Sequence, residues 1–380
     1  MRHDRTRRSR TLTRRAALAA LTLAATRLYV APSASARAND DLALERSLDA
    51  LAARQNADGS FGNDRELFGR DPGVAALCGL AFAGSGSFYA RGRYGVAIKK
   101  IVDYLLSQSL RANARGEFDG LDAASSQAAR RYLTENDLSA ADVDGLVANF
   151  LERGRKPTYG HGYASLFLAE TLGSTRRPEH RDRARAAVAL LERTQNSEGG
   201  WRYDAKRVAA ADLSVTTCQL SALRAARNAG LRVDASVFER GLGFVRRLQN
   251  SDGGFRYMST PGASGYGRTA AAIHALQSGG AEEDESTHRA FRYLDGFPDA
   301  RKIEYWSVAH FYASLAYWRG GASASGRARW ERYWAQFKSE ALARRGEDYL
   351  WRSSISTEAE SAFVICALEV PQEGAPLFLR

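Results

Sequence analysis

The sequence predicts an all-α fold, an (α/α)6 toroid in which six outer helices wrap six inner ones. Three observations predict it. A short turn motif recurs along the chain, each copy lies between an amphipathic run and a more apolar one, and neither the first nor the last repeat carries an obvious polar capping face. The last point favours ring closure over an open solenoid, whose end repeats would need such a face.

The turns come first. Gln55-Asn56-Ala57-Asp58-Gly59-Ser60-Phe61, Gln195-Asn196-Ser197-Glu198-Gly199-Gly200-Trp201 and Gln249-Asn250-Ser251-Asp252-Gly253-Gly254-Phe255 share one pattern, and a looser copy runs from Gln108 to Phe118. Gly lets the backbone reverse, Asn and Asp brace the turn, the aromatic ring packs back onto its repeat, and Gln is expected to bond the frayed helix end. These positions read as structural staples.

The helices follow. Outer helices are expected near 42–54, 96–107, 181–194, 235–248, 286–294 and 328–343. The stripe Trp330, Tyr333, Trp334 and Phe337 has the i, i+3, i+4, i+7 spacing of an outer helix packing inward. Inner helices are expected to begin at Asp71, Tyr159, Asp212, Gly265, Trp306 and Thr357. The Gln positions 55, 108, 195 and 249 are separated by 53, 87 and 54 residues, which predicts an insertion at about 119–156, a surface lid or cap. Ser139 to Asp142 reads as a capping box opening a short helix through Phe150. Asp142, Asp144 and Gly145 suggest a calcium loop, but Ala140 and Leu151 fall where ligands are needed, so no metal site is expected.

Residues 1–38 read as an export signal and residues 39–380 as one domain. The leader has nine Arg and one Asp, the pair Arg14-Arg15, an apolar stretch from Ala16 to Ala25 and an Ala36-Arg37-Ala38 processing site, which resembles a twin-arginine signal. A Sec signal or a presequence is the alternative. The leader accounts for +8 of the formal charge of +11, leaving 11 − 8 = +3, so charge gives no argument for nucleic acid. No later stretch reaches the roughly 20 apolar residues of a membrane span. The expected location is periplasmic or extracellular. Cys78, Cys218 and Cys366 are odd in number and lie on apolar helical segments, so buried free thiols are expected.

The repeat resembles that of the prenyltransferase and squalene-oxidase repeat family, shared by squalene-hopene cyclases and the β-subunits of protein prenyltransferases. The resemblance covers about residues 42–370 and is strongest at Tyr159-Gly160-His161-Gly162-Tyr163-Ala164 and Asp212-Leu213-Ser214-Val215-Thr216-Thr217. It implies an α/α ring with its site at the mouth formed by the inner helix starts. Class II cyclases of this family protonate an alkene with an Asp-x-Asp-Asp motif; here the stretch keeps Asp212, with Ser214 and Val215 at the other acidic positions. The prenyltransferase zinc set has no Asp-x-Cys counterpart.

At the mouth, the candidate catalytic residues are Asp212 and His161, and the candidate ligand-binding residues are Tyr159, Tyr163, Thr216, Arg268, Trp306, His310 and Tyr312. Each has a competing structural reading: Asp212 as a helix cap, His161 as a contact to a neighbouring turn, His310 as packing. The ligand expected from the resemblance is hydrophobic and isoprenoid-like, with no cofactor. The alternatives are a non-enzymatic extracytoplasmic scaffold or binding protein, and a glycan-active enzyme for which Tyr159, His161 and Arg268 are the residues of interest.

Overall fold

The computed structural model describes residues 34–63, 69–148, 157–205, 210–297, 303–353 and 356–372. The rest of the leader, including Arg14-Arg15, lies outside the described residues. Contacts divide the chain into two units, 1–43 and 44–380; the described part of the first, residues 34–43, is the start of a helix.

Thirteen α-helices are formed among the described residues: α1 (Ala34–Ala52), α2 (Pro72–Gly84), α3 (Gly95–Gln108), α4 (Ala123–Asn136), α5 (Pro157–Thr171), α6 (Pro178–Thr194), α7 (Leu213–Asn228), α8 (Ala235–Arg247), α9 (Tyr266–Ser278), α10 (Glu285–Asp295), α11 (Trp306–Arg319), α12 (Ala324–Arg344) and α13 (Thr357–Glu369). Six are inner helices. They pack in the cycle α2–α5–α7–α9–α11–α13, and α13 packs back on α2, so the ring is closed. The closure is also electrostatic: Glu358, buried on α13, binds Arg54 at 2.5 Å, and the Cys78 thiol on α2 points to the Glu358 carbonyl at 3.9 Å. The inner helices are buried nearly all round because both faces are covered. Every residue of α2, for example, is buried.

The repeated turns work as a joint between outer helices. Gln55, Gln195 and Gln249 each donate to the Gly carbonyl of their own turn and to a carbonyl in the first turn of the next outer helix, those of Ala97, Val237 and Ser286. The amide therefore serves the start of the next outer helix, where the sequence suggested the end of its own. Gly59, Gly199 and Gly253 have φ of +97°, +86° and +87°, and a Cβ there would lie 2.2, 2.5 and 2.6 Å from the Lys100, Arg240 and Arg289 carbonyl oxygens. Glycine is needed twice over, for its backbone angle and for its lack of bulk.

This geometry relocates the second turn. A Cβ at Gly116 would meet nothing among the described residues, whereas one at Gly145, φ +90°, would lie 2.2 Å from the Ala186 carbonyl oxygen of α6, as at the other turn glycines. Ser109 bridges Val147 as Gln55 bridges Phe61. Residues 110–146 thus stand between the bridged pair where the other turns have five, so the extra residues lodge inside the turn, ahead of Gly145. They form α4, which the sequence did not suggest, and the Ser139–Asp142 capping box opens only a 3-10 turn, Ala140–Val143. Residues 149–156, where the expected helix would have continued, are outside the described residues. The insertion buries Leu110, Val143 and Leu146 against Leu190 of α6 and Ala205, with Phe118, Tyr132 and Leu133 packed around them. The turn of the sixth repeat, which the sequence motif did not reveal, is Arg345-Gly346-Glu347-Asp348-Tyr349-Leu350-Trp351. Tyr349 takes the left-handed conformation at φ 64° and lies under the guanidinium groups of Arg46 and Arg345.

Candidate functional site at the ring mouth

In four repeats the aromatic or apolar residue that ends the turn donates its backbone N–H into the first turns of the following inner helix. Trp201 donates to Thr216 Oγ1 at 3.1 Å, Phe255 to Thr269 Oγ1 at 2.9 Å and Trp351 to Ser361 Oγ at 3.0 Å. In the second repeat Val147 donates to His161 Nδ1 at 3.1 Å. His161 therefore occupies the place of the hydroxyl residues. Its Nδ1 must be the acceptor, which leaves the Nε2–H to donate to the Ala187 carbonyl at 3.3 Å, and burial pushes the ring pKa down to about 4. Both Thr216 and His161 spend their polar atoms on this joint, pointing away from the bore.

The segment Tyr159-Gly160-His161-Gly162-Tyr163 divides its faces. A Cβ at Gly160 would lie 2.9 Å from Asp71 Oδ1, and one at Gly162 would lie 2.6 Å from Cys218 Sγ, so the two glycines let α2 and α7 close on α5. Tyr159 and Tyr163, one turn apart, turn into the bore with ring centroids 5.5 Å apart. Tyr163 packs edge-on against Phe363 of α13, and its hydroxyl meets that of Tyr312 at 3.1 Å. Helices α5 and α11 stand opposite each other in the ring, so this contact crosses the bore. Phe311 and His274 extend the floor, and His274 Nε2 contacts Ser221 Oγ at 3.2 Å. Tyr163, Tyr312 and Phe363 are buried, whereas Tyr159, Ser214 and Arg268 in the first turns remain partly exposed. The inner helix starts thus stand over a floor of packed aromatic rings.

Asp212 stands fully buried at the start of α7. Its backbone N–H donates to the Trp201 carbonyl, and Oδ1 accepts from the Val215 N–H at 2.9 Å, capping α7. Its other oxygen, Oδ2, is buried and has no hydrogen-bond partner among the described residues; Arg202 Nη1 is 3.9 Å away. Burial raises the carboxyl to a pKa of about 6, against the pull of the Val215 amide, Arg202 and Tyr257. Around it, the Tyr203 and Tyr257 hydroxyls bond each other, and the Arg202 guanidinium lies 5.2 Å and 5.7 Å from their ring centroids. Arg202, Tyr203 and Tyr257 come from the turns preceding α7 and α9. Sequence reading missed them because they belong to no inner helix; their position just after the turn aromatics Trp201 and Phe255 was the available signal.

The remaining candidates lie elsewhere. Arg268 folds over Gly265, donates to the Ala263 carbonyl at 3.4 Å and lies 3.8 Å from Glu304. Trp306 and His310 face outward to α12: Trp306 Nε1 reaches Glu340 at 3.3 Å beneath Arg344, and His310 stacks with Tyr333 and Phe337. The three cysteines are free and buried. Among the described residues no group of three His, Cys, Asp or Glu side chains is placed to hold a metal ion, and no helix is long and apolar enough to cross a membrane.

No family model and no curated protein matches the chain. Solved structures do. A D-mannose isomerase matches with a TM-score of 0.57 at 11% identity over 90% of this chain and 100% of that one. An apo type II terpene cyclase from Scytonema matches with a TM-score of 0.55 at 14% identity, over 88% and 99%. A cellobiose 2-epimerase from Bacillus thermoamylovorans matches with a TM-score of 0.54 at 12% identity, over 87% and 98%. The fold is the α/α toroid that terpene cyclases and sugar isomerases and epimerases share. At these identities the likeness shows fold alone, since one fold hosts unrelated chemistries.

Proposed function

We propose that the chain is an exported toroid protein that holds a hydrophobic, isoprenoid-like ligand in its mouth, with Asp212 as the group that contacts the ligand's polar end. The observation that carries this reading is the buried Asp212 Oδ2, which accepts no hydrogen bond from the described residues and has only the longer contact to Arg202, beside the tyrosines of the mouth. An orphaned buried oxygen is costly unless a ligand completes it. With a carboxyl pKa of about 6, Asp212 can present a proton to a ligand oxygen at mildly acidic pH. The aromatic walls of Tyr159, Tyr203 and Tyr257 suit an apolar body. A terpene cyclase of the same fold has been solved with geranylgeranyl dihydroxybenzoate. Cyclisation itself is not part of the proposal, because Ser214 and Val215 supply no second carboxylate to support alkene protonation.

Export rests on the Arg14-Arg15 leader and the Ala36-Arg37-Ala38 site. Cleavage after Ala38 would leave the buried Leu44, Leu48 and Leu51 of α1 in place. The test is organic extraction of protein recovered from the extracytoplasmic fraction, followed by mass spectrometry. An isoprenoid lipid near one per chain is expected; a bound sugar would favour the glycan-active alternative that the sugar isomerase neighbours suggest, and no ligand would favour a scaffold.

A further inference from the structure

A hollow of about 380 Å³ lies in the wall of the ring, between its outer and inner layers. It sits between outer helices α10 and α12 and inner helices α9 and α11, and its size is within the range of small-molecule pockets. The repeat is irregular here. In four other repeats the turn ends on a fully buried aromatic, Phe61, Trp201, Phe255 or Trp351, and the two Trp indoles donate to a carbonyl of the outer helix just before them. The fifth repeat has no Gln-x-x-x-Gly-x-aromatic turn; α10 ends at Asp295 and runs directly into Gly296 and Phe297, which is only partly buried.

The lining is specific. Tyr317, Tyr333, His310 and Phe337 form a ladder of nearly parallel rings, with angles between neighbouring planes of 20°, 20° and 18°. Tyr266 stands across from them, edge-on to Phe297. The lining carboxylate is compensated, since Asp295 accepts from Tyr317 at 3.1 Å and from Arg329 at 2.9 Å, while the other lining cation, Arg332, is exposed to solvent. One buried polar atom remains unsatisfied. His310 is 5% exposed, its Nδ1 is engaged with Tyr333 at 3.2 Å, and its Nε2 has no partner among the described residues. Burial holds this imidazole neutral, with a pKa near 3, so it offers a hydrogen bond and no charge.

We propose that this hollow is a ligand site for a flat, uncharged aromatic compound bearing one hydroxyl, a phenol or naphthol, whose ring packs against the edges of the ladder and against Tyr266, and whose hydroxyl bonds His310 Nε2. A hydroxyl both donates and accepts, so it fits either tautomer of the ring. A sugar would bury several hydroxyls against one available partner, which disfavours it. The site is independent of the mouth reading.

The experiment is equilibrium titration of the mature protein with 2-naphthol, naphthalene and glucose. 2-Naphthol is expected to bind at least about tenfold more tightly than naphthalene, with no binding of glucose. His310→Phe should bring the two aromatic ligands within about twofold of each other by weakening 2-naphthol. Ile303→Trp, which fills the hollow from its rim without altering a helix, should abolish binding of both while leaving the melting transition cooperative. Equal affinity for naphthol and naphthalene in the wild type, no binding of either, preferred binding of glucose, or full affinity in Ile303→Trp would overturn the proposal.

Discussion

The hydroxyl of Tyr163 on α5 and that of Tyr312 on α11 meet at 3.1 Å across the bore of the ring, joining two inner helices that are not neighbours in the cycle. Each is buried, so removing one hydroxyl leaves the other without its partner. Tyr163→Phe and Tyr312→Phe should each destabilise the fold by about 1–2 kcal/mol. The double variant should cost less than the sum of the two, because no orphan remains. Urea denaturation of the four proteins reads the coupling directly; strict additivity would show that the hydroxyls do not interact.

The turn glycines make a sharper comparison. Gly199→Ala forces a methyl to within 2.5 Å of the Arg240 carbonyl oxygen at a positive φ, and a loss of at least about 3 kcal/mol is expected. Gly116→Ala has φ +75° but meets nothing, and should cost only about 1 kcal/mol. Gly145→Ala should behave like Gly199→Ala. Equal costs at 116 and 145 would refute the placement of the second turn.

Stability should depend on pH through groups that act in opposite senses. His161 and His180, near 4, and His274 and His310, near 3, have depressed pKa values because burial disfavours the imidazolium. The unfolded chain therefore binds more protons below pH ~6.5, and stability falls as pH drops from there toward 4. Asp212 is raised to about 6, so its folded form binds the extra proton between 3.8 and 6. It stabilises at low pH, and that contribution is lost as pH rises through 6. Asp212→Asn should thus steepen the loss of stability between pH 7 and pH 5 by about 1 kcal/mol. An unchanged slope would mean that the carboxyl titrates normally.

Export has a separate test. Replacing Arg14 and Arg15 together by Lys should leave the precursor uncleaved inside the cell, as a twin-arginine route requires. Normal secretion of the variant would point to the Sec route.

Much of the ring was legible because its turns need glycine for two reasons, so Gly59, Gly199 and Gly253 carry a fixed spacing to Gln and to an aromatic. The second and sixth turns were obscured for physical reasons. An inserted lobe separates Ser109 from Val147, and Tyr349 supplies the positive φ that glycine supplies elsewhere. Tyr159 and Tyr163 could be assigned to one face because they lie one helical turn apart. The outward turn of His310 could not, since the aromatic stripe of α12 that captures it is remote in sequence. Arg202, Tyr203 and Tyr257 lie in irregular backbone, where no periodicity signals direction.

The central claim is that the mouth above Asp212 holds an isoprenoid-like ligand, and calorimetric titration of the mature protein with geranylgeraniol at pH 6 tests it most directly. Saturable binding near one per chain is expected, weakened at least about tenfold by Tyr159→Ala or Asp212→Ala and unaffected by Ile303→Trp in the wall. Absence of binding, or binding that survives both mouth substitutions, would contradict the account.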